Sequence, residues 1–217
     1  TKGTTLTALI IAVIAAYLGL KPEEFSTQLI EQAMAIEDYR EARSVFWNEL
    51  YPDGGETLYC GDKFNEGYHE DINIEHVFPM SWVAWKLKCG ERAECRANND
   101  IFNRIEADLH NLFPAKAKIN EARGSHPFGM VKGEKRKFGN CDFEIDYQKR
   151  IVEPREEVRG DIARTMFYMA SRYNLDIREK QFQTLKQWDK QDPVSEKKKQ
   201  RNKKIKQLQG KDNPYIK

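Results

Sequence analysis

Apolar positions along the chain keep two different periods, and the places where one gives way to the other outline the elements. From Phe25 to Leu50 a helical spacing runs through Leu29, Ile30, Met34, Ile36, Tyr39, Ala42, Phe46 and Trp47, with Ser26 as a candidate N-cap. Pro52-Asp53-Gly54-Gly55 stops it. Thr57 to Cys60 then reads as a short strand, and residues 61–71 as a loop. The period drops to two where Ile72 and Ile74 alternate with Asn73 and Glu75, which predicts a strand reaching His76. Short helices are expected over Trp82–Leu87 and from Asn98 to Asn111, starting after Asn99. Pro114 breaks the second of these, and a further helix is expected over Ala115–Arg123. Residues 124–141 form a Gly-rich basic loop, and Phe143–Tyr147 alternates again.

The strongest helical face lies in Arg155–Tyr173, through Val158, Ile162, Ala163, Met166, Phe167, Met169, Ala170 and Tyr173. Ile177–Asp189 is the next helix, and Ser195 caps a last one that runs through Leu208. The sum predicts an α+β protein, mainly helical with a small antiparallel sheet. The start of the chain is different in kind. Leu6 to Leu20 is an uncharged apolar run of 15 residues that follows Lys2. A membrane span needs about 20 residues. The run therefore reads as a signal peptide with small residues at Ala15 and Ala16, as an uncleaved N-terminal hydrophobic anchor, or as a buried helix. The first two readings set residues 1–20 apart from a single domain over 21–217.

Charge changes the picture only locally. The net charge is +2, but seven Lys or Arg crowd Glu196 to Lys206. A local basic patch of this kind attracts a polyanion; a solvated helix surface is the alternative. The cysteines are Cys60, Cys89, Cys95 and Cys141. None forms a Cys-x-x-Cys pair or has a His at ligand spacing, so zinc is not expected. Two disulfides are expected if the chain is exported, four buried thiols otherwise.

Candidate chemistry concentrates in Ile72–Trp82 and Glu106–Arg123. His76 titrates near neutrality and follows Glu75, so it is a candidate general base. Neighbours on a strand point to opposite faces, so the two residues share a site only if the backbone turns there. Glu75 and Asn120 offer oxygens suited to Mg²⁺. Arg92 and Arg123 are candidate grips on phosphate, and Glu106 is placed to orient Arg92 or donate a proton. Asp108, His110 and Asn111 form a polar cluster read as ordering the loop. Each of these residues also has a plain reading, as a structural histidine or a surface charge.

The series Asn73-Ile-Glu-His-Val-Phe-Pro-Met-Ser-Trp82, Glu106-Ala-Asp-Leu-His-Asn-Leu-Phe-Pro114, Ile119-Asn120 and Arg123 resembles the endonuclease I family. So do Leu58-Tyr-Cys-Gly61 upstream, Arg159-Gly-Asp-Ile-Ala-Arg-Thr-Met-Phe-Tyr-Met169, Arg201-Asn202 and Gly210-Lys-Asp-Asn-Pro-Tyr-Ile216. The likeness runs from about residue 35 to the end of the chain. It implies a periplasmic or secreted nuclease domain with a ββα-metal (His-Me finger) site, cutting DNA and often RNA with little sequence preference to 5′-phosphate products. By the resemblance His76 is the general base, Glu75 and Asn120 hold Mg²⁺ (with Ca²⁺ or Mn²⁺ as substitutes in binding), Arg92 stabilises the phosphate and Glu106 supports it. Arg123, Lys197, Lys198, Arg201 and Lys204 are the expected nucleic-acid contacts. The resemblance also pairs Cys60 with Cys141 and Cys89 with Cys95. A monomer is expected, with a membrane association only if residues 6–20 are an uncleaved anchor. The family often carries Gly-Asp before the arginine equivalent to Arg123, where this chain has Glu121-Ala122. Two alternatives stand beside this reading: an HNH-type nuclease of narrower specificity, and a non-catalytic nucleic-acid-binding protein.

Overall fold

A computed structural model describes residues 11–26, 34–66, 69–133 and 136–217. Residues 6–10 of the apolar run, and Leu29 and Ile30 of the first expected helix, lie outside the described residues. Within the run, residues 11–17 are helical, and Val13, Tyr17 and Leu18 are exposed. Among the described residues no helix is long and apolar enough to cross a membrane.

Helix α1 spans Tyr39–Val45, capped by Asp38 accepting from the Glu41 amide, and continues as a π turn over Phe46–Leu50. The stretch expected as a strand, Thr57–Cys60, is instead a turn between two short paired strands, β1 at Gly55–Glu56 and β2 at Lys63–Phe64. Strand β3 is Ile72–His76, as the alternation predicts. The chain bends directly after His76, at residues 77–78 ahead of Pro79, so Glu75 and His76 are the last two residues of β3 where the backbone turns away.

The partner of β3 is β4, Leu112–Lys116, antiparallel, with Ile72 opposite Lys116 and His76 opposite Leu112. Pro114, expected to break a helix, sits instead inside this strand. Among the described residues the sheet has these two strands, so each is an edge, and an edge position tolerates a residue without an N–H. The Pro114 carbonyl is still used, accepting from the Leu58 amide at 2.8 Å. The helix expected over Ala115–Arg123 starts two residues late, as α5 at Ala117–Arg123. Gly124, at φ +51°, ends it in a backbone conformation side chains rarely adopt.

Between β3 and β4 run three short helices: α2 at Met80–Leu87, α3 at Arg92–Asn98 and α4 at Asp100–Glu106. Glu91 and Glu94 form a reciprocal capping box that makes Arg92 the first residue of α3. Asn99 caps α4 by accepting from the Phe102 amide, and α4 ends at Glu106, short of the expected Asn111. Strands β5 (Phe143–Asp146) and β6 (Ile151–Pro154) pair as a hairpin; β6 is absent from the sequence expectation. Helices α6 (Arg159–Tyr173), α7 (Glu179–Gln191) and α8 (Glu196–Gln209) follow, the last capped by Ser195 as expected.

The buried side chains fall into two clusters. The larger joins Tyr59, Val77, Phe78, Phe102, Ile119, Phe128, Phe143, Met166 and Trp188. The smaller joins Ala42, Phe46, Ile74, Leu109, Leu112 and Ile205. The β3–β4 pair contributes to both, so it is held from two sides. Both cysteine pairs, Cys60–Cys141 and Cys89–Cys95, are disulfide-bonded.

Candidate active site

A cavity of about 570 Å³ opens where β3 ends, lined by Glu75, His76, Arg92, Asn120 and Arg123, with Trp85, Glu91 and Ser125 at its edges. Strand β3 presents the first two residues, the capping box presents Arg92, and α5 presents the last two. The antiparallel pair followed at once by α5 is what brings Asn120 under Glu75 and His76.

The imidazole of His76 is nearly buried, and its Nε2 lies 3.0 Å from the Glu106 carbonyl oxygen. A carbonyl only accepts, so Nε2 carries the proton and Nδ1 is the basic nitrogen. Burial, then the positive charges of Arg92, Arg96 and Arg123, lower its pKa to about 3, and the Glu106 carbonyl only partly opposes them. The ring is therefore neutral at physiological pH. Tyr39 packs against it with ring centroids 5.0 Å apart.

Glu75 is buried as well. Its Oε1 accepts the Tyr59 hydroxyl at 2.5 Å and faces Arg123 Nη1 at 3.1 Å. Burial raises the Glu75 pKa, while Arg123, Tyr59 and the His76 amide pull it back. A carboxylate has about four acceptor sites, so two bonds at Oε1 leave capacity for a cation. Asn120 spends its Nδ2 on Asn73 Oδ1 at 2.7 Å and on the Ile74 carbonyl at 3.2 Å, which leaves Oδ1 as its uncommitted acceptor. Two hard oxygens on one cavity wall match the donor set of Mg²⁺, which takes one or two protein ligands and keeps several waters.

Glu106 lies beneath the cavity, fully buried. Its carboxylate takes Arg92 Nε at 2.5 Å and Arg96 through Nε at 2.7 Å and Nη2 at 2.9 Å. Only Nε of Arg92 is committed there, and the side chain is half exposed, so its remaining N–H groups are free to meet an anion.

Arg123 is placed differently from the expected phosphate contact. It is 1% exposed, donates to the His76 and Val77 carbonyls and stacks over Phe128, so it secures Glu75 from within. The α8 cations do not line the cavity. Lys198 is paired with Asp192 and Asp161, and Arg201 donates to Tyr51 and to the Leu109 and Leu112 carbonyls. Lys197, mostly exposed, faces Glu56 at 3.4 Å, and Lys204 is half-buried.

Three supporting residues escaped the sequence reading. Tyr59 holds Glu75 from a turn with no periodicity to mark it. Arg96 shares Glu106 with Arg92, and its spacing of four on one helix face was a usable signal. Tyr39 lies under both arginines, 5.6 and 5.2 Å from their guanidinium carbons. The loop-ordering role read for Asp108, His110 and Asn111 has clear partners. Asn111 clamps Phe78 through both backbone groups, and Asp108 accepts from Tyr168, Tyr173 and Gln209.

Residues 28–217 match the family model described as Endonuclease I. The chain is similar to an extracellular deoxyribonuclease of Aeromonas hydrophila, at 34% identity over 205 residues, covering 83% of this chain and 88% of the relative. It is 36% identical over 178 residues to Endonuclease-1 of Buchnera aphidicola subsp. Acyrthosiphon pisum (strain APS), covering 79% and 70%. It is also 36% identical over 171 residues to an extracellular ribonuclease of Bacillus amyloliquefaciens, covering 70% and 53%. With the match running through β3, β4 and α5 to the end of the chain, this protein belongs to the endonuclease I family.

Proposed function

We propose that the protein is a Mg²⁺-dependent endonuclease that hydrolyses phosphodiester bonds in DNA, and in RNA as well, without sequence preference and to 5′-phosphate products. The observation that carries this reading is the placement of His76: its Nε2 is tied to the Glu106 carbonyl, which leaves Nδ1 as the basic nitrogen, on the wall that also holds Glu75, Asn120 and Arg92. We read β3, β4 and α5 together as a ββα-metal site. Relatives named both deoxyribonuclease and ribonuclease support a broad substrate range, and relatives named extracellular or periplasmic support action outside the cytoplasm.

In this mechanism His76 Nδ1 takes the proton from an attacking water. Glu106 keeps the imidazole in the required tautomer through its carbonyl and holds Arg92 through its carboxylate. Arg92 offers its free N–H groups to the non-bridging phosphate oxygens, a charge-assisted contact. Glu75 and Asn120 would hold Mg²⁺, which would supply neutralisation of phosphate charge and of the leaving oxygen. Tyr59 and Arg123 fix the Glu75 carboxylate, and Asn73 fixes the Asn120 amide. Phosphate contacts of this kind position a strand without specifying its sequence.

Nicking of supercoiled plasmid tests the reading. Activity that requires Mg²⁺, stops in EDTA and falls about 10²–10⁴-fold in His76→Ala is expected, the usual range for a general base. Full cutting by His76→Ala, or cutting that ignores EDTA, sinks it.

A further inference from the structure

Trp85 is 79% exposed, yet it belongs to the walls of adjoining hollows, two of which bear on the site. On one side is the cavity that holds His76 and Arg92. On the other is an apolar hollow of about 400 Å³ floored by Phe78 and Trp82, whose rings meet edge to face at 5.6 Å, and closed by Leu175. So large an exposed indole contributes nothing to the core. Its surroundings are also specific in charge. Arg178 lines the apolar hollow and a neighbouring cleft with Lys149 and Arg150, and that cleft returns to the first cavity at Ser125. Among the described residues Arg178 and Arg150 have no acidic partner, while Lys86 is paired with Asp176 at 2.7 Å.

We propose that the hollow beside Trp85 takes an unpaired nucleobase of the nucleotide flanking the scissile phosphate, stacked on the indole, with Arg178 on that nucleotide's phosphate. This rests on the nuclease reading above and adds a substrate class to it: strands whose bases are unstacked, in preference to a closed duplex. The chemistry favours this occupant on three grounds. The hollow is apolar and aromatic, which suits the π-face of any base and needs no sequence. Its rim carries Arg178, without an acidic partner among the described residues, beside the closed Lys86–Asp176 pair, which suits a phosphate rather than a protein helix. It continues into the cavity across a single residue, so one strand can occupy both. A base in a duplex must leave its stack to reach such a hollow, which costs binding.

Binding in EDTA tests the inference without cleavage, by anisotropy of an end-labelled single-stranded oligonucleotide and of an equal-length sugar-phosphate strand lacking bases. Wild type is expected to prefer the strand with bases. Trp85→Ala, which removes an exposed side chain, should weaken that strand by roughly 5- to 150-fold, the value of one stacked base. Trp85→Phe should keep most of the affinity, and the base-less strand should not distinguish Trp85→Ala from wild type. Arg178→Gln should lower the slope of log affinity against log salt by ~0.7. Equal affinity of wild type for the two strands, or an unchanged affinity in Trp85→Ala, overturns the proposal. Mg²⁺-dependent plasmid nicking by the same preparation reports separately on the nuclease reading: nicking without base preference defeats only the base hollow, and base preference without nicking defeats only the nuclease.

Discussion

Replacing Arg123 by Met asks how much of the site's order comes from one buried ion pair. The side chains of Arg123 and Glu75 are 1% and 3% exposed, 3.1 Å apart. Methionine keeps most of the packing over Phe128 but strands the Glu75 carboxylate with Tyr59 as its remaining side-chain partner, and the His76 and Val77 carbonyls lose their donor. Removing one partner of a buried pair costs ~3–5 kcal/mol, because the other charge stays desolvated. We therefore expect a loss of about 4 kcal/mol at pH 7, measured by urea unfolding in EDTA with both disulfides intact. The loss should shrink with acid. In the variant the folded pKa of Glu75 stands well above its unfolded value, so its penalty is absent below the unfolded pKa and grows as pH rises toward the folded one. Glu75→Gln added to Arg123→Met should recover about 2 kcal/mol, because the charge is gone while the carbonyls still lack a donor. Arg123→Met within about 1 kcal/mol of wild type, or a double variant no more stable than the single, would refute the reasoning.

Three further outcomes follow from the same geometry. Cys60→Ser with Cys141→Ser opens a bridge of sequence separation 81, worth about 4.5 kcal/mol by loop entropy, whereas Cys89→Ser with Cys95→Ser, at separation 6, should cost about 2 kcal/mol; urea midpoints of the two variants rank them. Burial lowers the His110 pKa to about 4, so the unfolded chain binds that proton first, and stability should fall by ~1.4 kcal/mol per unit as pH drops from about 6.5 toward 4; His110→Gln should lose that part of the slope in a pH series of thermal melts. Glu106→Gln keeps the carbonyl that fixes His76 but discharges the anchor of Arg92 and Arg96, so nicking should fall about tenfold or more while the rise of activity with pH keeps its shape, checked by a pH–rate profile.

How far the site was legible depends on whether a residue's role is written locally. Glu75, His76 and Asn120 sit in motifs whose residue types suit the proposed chemistry, and the strand under the first two announces itself by alternation. Strand β4 did not, because a proline is a strong local signal for a break and its tolerance here depends on β4 being an edge strand. Lys198 and Arg201 looked like free cations because a charge run says nothing of acids brought to it from Asp161, or of carbonyls brought from Leu109 and Leu112. Arg123 illustrates the same limit. Its charge was legible, its burial was not, so a residue that orients a carboxylate read as one that meets substrate.

The turn before β4 has one more property, visible in the order in which the chain is made. Arg201 holds the Leu109 and Leu112 carbonyls, Gln209 holds the Leu109 amide and Asp108, and the Lys211 carbonyl accepts from His110. The strand opposite His76 is thus fastened by residues 201–211, which lie 89 to 101 residues further along the chain than their partners. During translation the β3–β4 pair stays without its rear brace until α8 has emerged, and a product truncated before α8 carries the motif residues without the frame that aligns them.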